Sequence, residues 1–288
     1  MTRAATLGAR TVALTLLALV AFASNSLLTR LALGSHQLDA ASFTAIRLAS
    51  GAVMLAAIVL VQSRSWRPLR GTGIAGPLAL FAYAAPFSFA YLRIGAAVGA
   101  LVLFGVVQLT MIGYAIARGE HPSPLMWLGL ALAAGGLLVL TVPAVSRPDP
   151  FGVVLMVVAG CAWAVYTLGG RGAPDPIAAN ARSFLWSTPL AMLLVALGRV
   201  PVHATGRGIV LALVSGAVTS GLGYAIWYRA LPELTVTQAA VAQLSVPVIA
   251  AAGAVLTLGE TITTRLVLAG IAVLSGVGLV LSARSRRG

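Results

Sequence analysis

Residues 11–33 read TVALTLLALVAFASNSLLTRLAL, an apolar run interrupted by one charged residue, Arg30. About 20 consecutive apolar residues let a helix cross a bilayer, whereas the apolar part of a signal peptide is only about 7–15 residues long. Arg3 and Arg10 precede the run, as they would in a signal peptide. The length of the run and the further apolar runs behind it predict a retained transmembrane helix instead.

Composition extends this prediction to the whole chain. Of 288 residues, 59% are hydrophobic and 9% are charged, and the mean hydropathy is +0.99. Soluble domains contain about 25% charged residues, so a protein this poor in charge needs a lipid bilayer around it. The net charge of +13 comes from arginines that mostly lie between apolar blocks. Because these arginines form no stripe along one face, the sequence predicts no nucleic-acid partner.

Glycine, proline and charged residues divide the chain into ten apolar blocks. Each block can cross a hydrocarbon core of about 30 Å at a helical rise of about 1.5 Å per residue. The connections, such as residues 34–38 and 93–95, are too short to hold a soluble domain. The predicted fold is an all-α integral membrane protein with ten transmembrane helices, at residues 11–33, 39–62, 72–92, 96–117, 124–143, 151–170, 176–198, 208–230, 234–257 and 263–282.

The arginines between the blocks predict the orientation, since cytoplasmic loops are richer in Lys and Arg. On the side of the N-terminus lie Arg3, Arg10, Arg64, Arg67, Arg70, Arg118, Arg171, Arg229, Arg284, Arg286 and Arg287. The smaller set on the other side is Arg30, Arg93, Arg147, Arg199, Arg207 and Arg265. The excess places both termini in the cytoplasm of a bacterium, with the chain crossing the inner membrane many times.

The two halves of the chain resemble each other. Gly119-Glu120 recurs as Gly259-Glu260, and the chain has only 6 acidic residues, so this match is informative. Aligning the two pairs superimposes further residues, among them Gly76 on Gly216, Ala100 on Ala240, Gly113 on Gly253 and Gly136 on Gly276. We therefore predict two repeats, residues 11–143 and 151–282. Five spans each is an odd number, so the second repeat enters the membrane inverted, as in many secondary transporters.

The second half resembles the EamA-type repeat of the drug/metabolite transporter superfamily. The matching segments are GYAIWYRAL at 223–231, AAVAQLSVPV at 239–248 and LTLGE at 256–260. The first half departs from the pattern, since Val107 and Gln108 stand where the second half has Pro247 and Val248. The run LFGVVQLTM at 103–111 is similar to the aromatic and neutral amino-acid exporter branch.

The resemblance implies a ten-helix inner-membrane exporter of amino acids or related metabolites. It also implies a central cavity formed by the first, third, fourth, sixth, eighth and ninth spans, with the fifth and tenth at the periphery. The expected partner is then a small-molecule substrate.

Polar and aromatic residues inside the spans are the candidates for substrate binding. Asn25, Gln108 and Gln243 lie mid-span, where a polar side chain either binds substrate or bonds a neighbouring helix. Tyr83, Trp163 and Tyr224 are deep enough to stack on a solute ring, although aromatic side chains more often pack in the core. Tyr224 has two aromatic neighbours, Trp227 and Tyr228, for which we expect either a cavity wall or the membrane interface.

Two prolines and one arginine inside the spans have conformational or charge roles to consider. Pro86 and Pro247 each remove a backbone donor and are predicted hinges of alternating access. Arg47 is the charge inside the second predicted span, about 12 Å from its outer end at 1.5 Å per residue. We expect it to extend toward the outer interface; the alternative is a salt bridge to a substrate carboxylate.

The acidic residues bear on the energy source. Asp39, Glu120, Asp149, Asp175, Glu233 and Glu260 all fall at predicted helix ends or in loops. Proton-coupled transporters usually carry an acidic residue or histidine inside a span. We therefore predict facilitated efflux or exchange without a built-in proton site.

Other functions fit the sequence less well. The scattered His36, His121 and His203, with the single Cys161, make no convergent metal site, and neither a cofactor motif nor a catalytic constellation is present. The chain is therefore not expected to be an enzyme. The alternatives are a drug or other metabolite exporter of the same superfamily and, less favoured, a non-transporting membrane protein or an intramembrane enzyme.

Overall fold

The structure is a computed structural model that describes residues 7–71, 73–142, 149–198 and 203–283, with the backbone of residues 286–287. Several predictions fall on residues outside these ranges: Arg3, Arg147, Arg199 and Arg284 of the charge pattern, residue 72 of the third predicted span and residue 143 of the first repeat.

Almost all of the described chain is helical. The α-helices are α1 Ala9–Thr29, α2 Ala40–Ser63, α3 Ala75–Ala117, α4 Pro124–Thr141, α5 Pro150–Gly170, α6 Pro176–Leu197, α7 Gly206–Val214, α8 Gly223–Ala230, α9 Val236–Ala242, α10 Ser245–Leu258 and α11 Thr264–Ser282. A π-helical segment, Arg30–Gly34, extends α1, and a second one, Ser215–Leu222, joins α7 to α8. Short 3₁₀ turns occupy Arg67–Leu69 and Leu231–Glu233, and two short strands, β1 Glu120–His121 and β2 Arg286–Arg287, pair antiparallel.

The surface of this bundle is that of an integral membrane protein. Within the described ranges, eight helical stretches are long and apolar enough to cross a membrane. Large apolar side chains point outward along them, for example Val61 and Leu256, which are 80% and 86% exposed. Such side chains are stable only against lipid, so the predicted all-α membrane class is confirmed.

Two features separate these eight stretches from the ten predicted spans. Helix α3 has 43 residues, about 65 Å at 1.5 Å per residue and twice the hydrocarbon thickness. Gly95, with a φ of 68°, breaks it into α3a (75–94) and α3b (96–117). Helix α6 is long enough to span but carries Asn180, Arg182 and several hydroxyl residues, so it is less apolar. The number of ten spans stays a prediction.

The packing of α4 and α11 shows how the bundle is oriented. Gly129 of α4 lies against Gly276 of α11, whereas Gly136, further along α4, lies against Ala269, earlier in α11. The two helices are therefore antiparallel. We call the end of the bundle that carries Glu260 the Glu260 end, and the opposite end, where α3b reaches Glu120, the Glu120 end. Helix α1 starts and α11 finishes at the Glu120 end.

Candidate functional site

A cavity of about 490 Å³ opens at the Glu260 end between α1, α3 and α10. Its wall is mainly apolar and aromatic, with Phe87, Tyr91 and Phe104 from the two halves of α3. Arg30 and Glu260 lie at its rim, where they form an ion pair. The volume falls within the range of about 300–1,000 Å³ that is usual for small-molecule sites.

The floor of this large cavity leads into a small inner cavity of about 30 Å³, which has room for about one water molecule. Ser26, Phe87, Leu103, Phe104 and Val246 line both cavities, so the two are contiguous. Of the predicted binding residues, the inner cavity brings together Asn25, Tyr83, Trp163, Tyr224 and Gln243, and it adds Phe22.

Trp163 of α5 stands at the centre of this aromatic cluster. Its ring centroid lies 4.8 Å from those of both Tyr83 and Tyr224, and 5.4 Å from that of Phe22. The indole Nε1–H donates to the Gln243 Oε1 at 2.6 Å, and the Gln243 Nε2 donates to the Ala239 carbonyl at 3.0 Å. Gln243 therefore holds the indole in place, which fixes the orientation of the cluster.

Asn25 supplies the polar group of the inner cavity. Its Oδ1 accepts a hydrogen bond from the Ser215 hydroxyl at 2.7 Å and lies 3.4 Å from the Thr219 hydroxyl, which donates to the Ser215 carbonyl at 2.9 Å; both residues are in the second π-helical segment. Its Nδ2 has no acceptor among the described residues, so it remains a donor for a solute. π-Helical segments often mark functional positions, and here the wide turn brings both hydroxyls to one amide oxygen.

Gln108 is not placed with the other predicted binding residues. Its Nε2 donates to the Ala240 carbonyl at 2.6 Å, and it lines neither of the two cavities. The contact joins α3b to α9, which is the interhelical role that polar side chains commonly have in membranes.

Two tyrosines lie between the aromatic cluster and the Glu120 end of the bundle. The Tyr228 hydroxyl donates to the Tyr166 carbonyl at 2.8 Å, and the Tyr166 hydroxyl donates to the Asn180 Oδ1 at 2.7 Å. Trp227 and Tyr228 are 0% and 2% exposed, so of the two alternatives a position in an exposed aromatic belt at the membrane interface is ruled out. Their helix turns them inward, where they separate the aromatic cluster from this end.

Comparison with known proteins agrees with this architecture. The family model described as the EamA-like transporter family matches residues 150–282. An uncharacterized protein of Pseudomonas aeruginosa is 49% identical over 96% of both chains. The chain belongs to the EamA-like transporter family. It is a membrane transporter of the drug/metabolite superfamily.

More distant comparisons extend the match to the whole chain. An uncharacterized transporter of Archaeoglobus fulgidus is 25% identical over 84% of this chain and 89% of its own length. A solved structure, described only as the crystal structure of a protein, superimposes with a TM-score of 0.81 at 19% identity. It covers 94% of this chain and 96% of its own, so the fold of the EamA-like transporter has a solved counterpart.

Arg47 of this EamA-like transporter does not extend to the interface, and that expectation is wrong. Its side chain is 1% exposed. The Nε donates to the Ser220 Oγ at 2.9 Å, and the Nη2 donates to the Tyr224 Oη at 2.6 Å. The guanidinium thus points into the bundle, because the hydroxyls of Ser220 and Tyr224 accept hydrogen bonds from it there.

The predicted hinge prolines of the EamA-like transporter lie in different surroundings. Pro86 is inside the continuous helix α3a. The helix is interrupted just before Pro247, since α9 ends at Ala242 and α10 begins at Ser245. Across the break the amides of Gln243, Leu244 and Val246 bond three residues back rather than four. The missing N–H of Pro247 leaves the Gln243 carbonyl without its usual α-helical donor, which favours this tighter turn.

We expect Pro247→Ala to slow transport several-fold with little change in KM, because the restored donor lets α9 and α10 join into one stiffer helix. Initial rates of solute exchange in proteoliposomes measure this. Pro176→Ala is the matched control, since Pro176 is the first residue of α6, where the missing N–H breaks no helical bond. An unchanged rate for Pro247→Ala would argue against the hinge.

The acidic residues lie at helix ends, as predicted. Asp39, Asp149 and Asp175 cap the N-termini of α2, α5 and α6 by accepting backbone N–H bonds. The Arg93 guanidinium, 3.0 Å from Asp149, lowers the pKa of that carboxyl, so the cap stays charged. Among the described residues, no group of His, Cys, Asp and Glu is arranged to hold a metal ion.

Proposed function

We propose that this EamA-like transporter exports aromatic or neutral amino acids, or closely related metabolites, by alternating access. The observation that carries this proposal is the aromatic inner cavity below the large one, which Tyr83, Trp163 and Tyr224 line together with the amide of Asn25. Aromatic walls stack on a solute ring or pack against an aliphatic side chain, and the amide can bind a polar end.

Alternating access is supported by the opposite courses of the two halves. Helices α1 and α5, which begin the proposed repeats at residues 11–143 and 151–282, run from opposite ends of the bundle. Gly119 and Gly259 both adopt a positive φ, 78° and 69°, so the two Gly-Glu pairs also share a backbone conformation. Two inverted copies of one unit can exchange conformations, which opens the cavity to either side.

The charge pattern gives this proposal a direction. Both described chain ends lie at the Glu120 end, and the larger arginine set belongs to that side. If this side is the cytoplasm of a bacterial inner membrane, the conformation described above has its cavity open to the outside and its tyrosines closed toward the cytoplasm.

Transport is proposed to need no proton gradient. Asp39, Asp149 and Asp175 lie at helix ends, and the inner cavity is lined by amides, hydroxyls, rings and aliphatic side chains, with no carboxylate among them. A solute can then move down its own gradient or exchange for another.

Uptake into proteoliposomes of the purified protein tests the proposal, with labelled phenylalanine, tryptophan and leucine, and with and without an imposed pH gradient. We expect saturable uptake that is equal under both conditions, and none in protein-free liposomes. Uptake only with the gradient would contradict the uncoupled mechanism. The mainly apolar cavity wall also favours a drug exporter, and efflux of a hydrophobic dye without any amino-acid uptake would support that alternative.

A further inference from the structure

Arg47 is a fully buried charge whose hydrogen-bonding capacity is only partly used. The Nε and Nη2 donate to the hydroxyls of Ser220 and Tyr224, and the guanidinium carbon lies 5.5 Å from the centre of the Tyr83 ring. The Nη1, also buried, has no acceptor among the described residues. A guanidinium carries five donors, so this one retains capacity for an anion.

No carboxylate of the described chain balances this charge. The ion pairs found there join Arg30 to Glu260 and Arg93 to Asp149, both at the Glu260 end. Hydroxyl groups solvate a guanidinium but do not neutralise it, and an unpaired charge inside a membrane protein is strongly unfavourable. A neutral donor such as glutamine would be enough to join α2 to the segment that carries Ser220 and Tyr224. A hydrogen bond between helices therefore does not explain why this residue is an arginine.

The guanidinium is one residue away from the inner cavity. Tyr83 and Tyr224 line that cavity, and both contact Arg47, which does not line it itself. Because the Tyr224 oxygen accepts from the cation, its own O–H becomes a stronger donor. The inner cavity itself is too small for a solute, so binding there requires a ring, such as that of Tyr83, to move.

We propose that Arg47, together with the Tyr224 hydroxyl, binds a carboxylate of the transported solute. This inference rests on the proposed function and sharpens it, because it makes the carboxylate, rather than the ring or the amine, the required group. The solute carboxylate supplies the missing counter-charge of Arg47, while its apolar part lies against Trp163 and Phe22.

Four solutes that share one phenyl ring test the carboxylate requirement: phenylalanine, phenylalaninamide, phenethylamine and 3-phenylpropionate. Binding to the detergent-purified full chain is measured by the thermal shift and by quenching of tryptophan fluorescence. We expect the two carboxylates to bind wild type at least about tenfold more tightly than the amide and the amine, since hydrogen bonds to charged groups are worth about that much.

The variants identify the residue. Arg47→Gln is expected to weaken both carboxylates about 10- to 100-fold and leave the amide and the amine within about twofold of wild type. Arg47→Lys should restore part of the preference because it keeps the charge. Arg229→Gln removes an exposed arginine from α8, the helix that carries Tyr224, and is the control for net charge. If Arg47→Gln does not fold, Tyr224→Phe and the comparison of the four solutes on wild type still test whether the site binds a carboxylate.

The outcomes separate this inference from the proposed function. If 3-phenylpropionate binds and phenylalanine does not, amino-acid export fails while the carboxylate site stands. If all four solutes bind equally, or Arg47→Gln keeps the preference, the carboxylate site is overturned and an aromatic solute remains. If none of the four binds wild type, both are overturned.

Discussion

Gly276→Val is expected to destabilise the protein by at least about 3 kcal/mol or to prevent its folding. A Cβ atom at residue 276 would lie 2.4 Å from the Gly129 carbonyl oxygen and 2.7 Å from the Ala133 amide nitrogen. Overpacking a core usually costs about 1–3 kcal/mol, and here the opposing atoms are backbone, which cannot change rotamer. Helices α4 and α11 would have to separate, and their close approach would be lost.

Thermal unfolding in detergent, followed by circular dichroism, measures this loss. Gly278→Val is the matched control, because it lies in the same helix and meets nothing within 4 Å. Both changes carry the same helix propensity and the same added volume. Equal melting temperatures for the two variants would show that α4 and α11 do not cross closely at Gly276.

The sequence predicted the helices well where long apolar runs end at proline, glycine or charge. The predicted span 96–117 coincides with α3b, and the predicted span 176–198 nearly coincides with α6, Pro176–Leu197. The breaks within runs were not predictable in the same way. The turn at Gln243 and Leu244 and the π-helical segment at Ser215–Leu222 lie inside predicted spans, and polar residues also occur within unbroken helices, as at residues 24–26 of α1, so composition alone does not mark these breaks.

Which residues face the cavity could be predicted only in part. A polar side chain, or an aromatic one with a polar group such as Tyr or Trp, is a visible signal in a span, and it identified Asn25, Tyr83 and Trp163. Phe22 gave no such signal, because lipid is as apolar as a protein core and a membrane helix shows little difference between its two faces. The sequence also could not predict that Arg47 points into the bundle, since its hydrogen-bond partners, Ser220 and Tyr224, lie far along the chain.

Trp163→Ala is expected to impair both transport and stability, because Trp163 stands at the centre of the aromatic cluster. Removing the indole deletes ring contacts at 4.8 Å to Tyr83 and Tyr224 and leaves the buried Gln243 Oε1 without its donor. Removing the indole also takes away a ring that the solute would stack on, and because one aromatic pair is worth up to about 1.5 kcal/mol beyond its buried area, we expect KM to rise about tenfold. The buried Gln243 Oε1, left without a hydrogen-bond donor, lowers the free energy of unfolding by a further amount of about 1–3 kcal/mol.

Trp163→Phe separates these two effects, because it keeps a ring in the cluster and loses only the N–H donor. We expect this variant to lose about 1–3 kcal/mol of stability in detergent, less than Trp163→Ala, and to retain a KM within about threefold of wild type, since stacking persists. Trp186→Ala is the matched control, because Trp186 is 58% exposed on the outer face of α6. If Trp163→Phe raised KM as much as Trp163→Ala, hydrogen bonding by the indole rather than its ring would define the binding floor. An unaltered KM in both variants would remove the aromatic cluster from the substrate path.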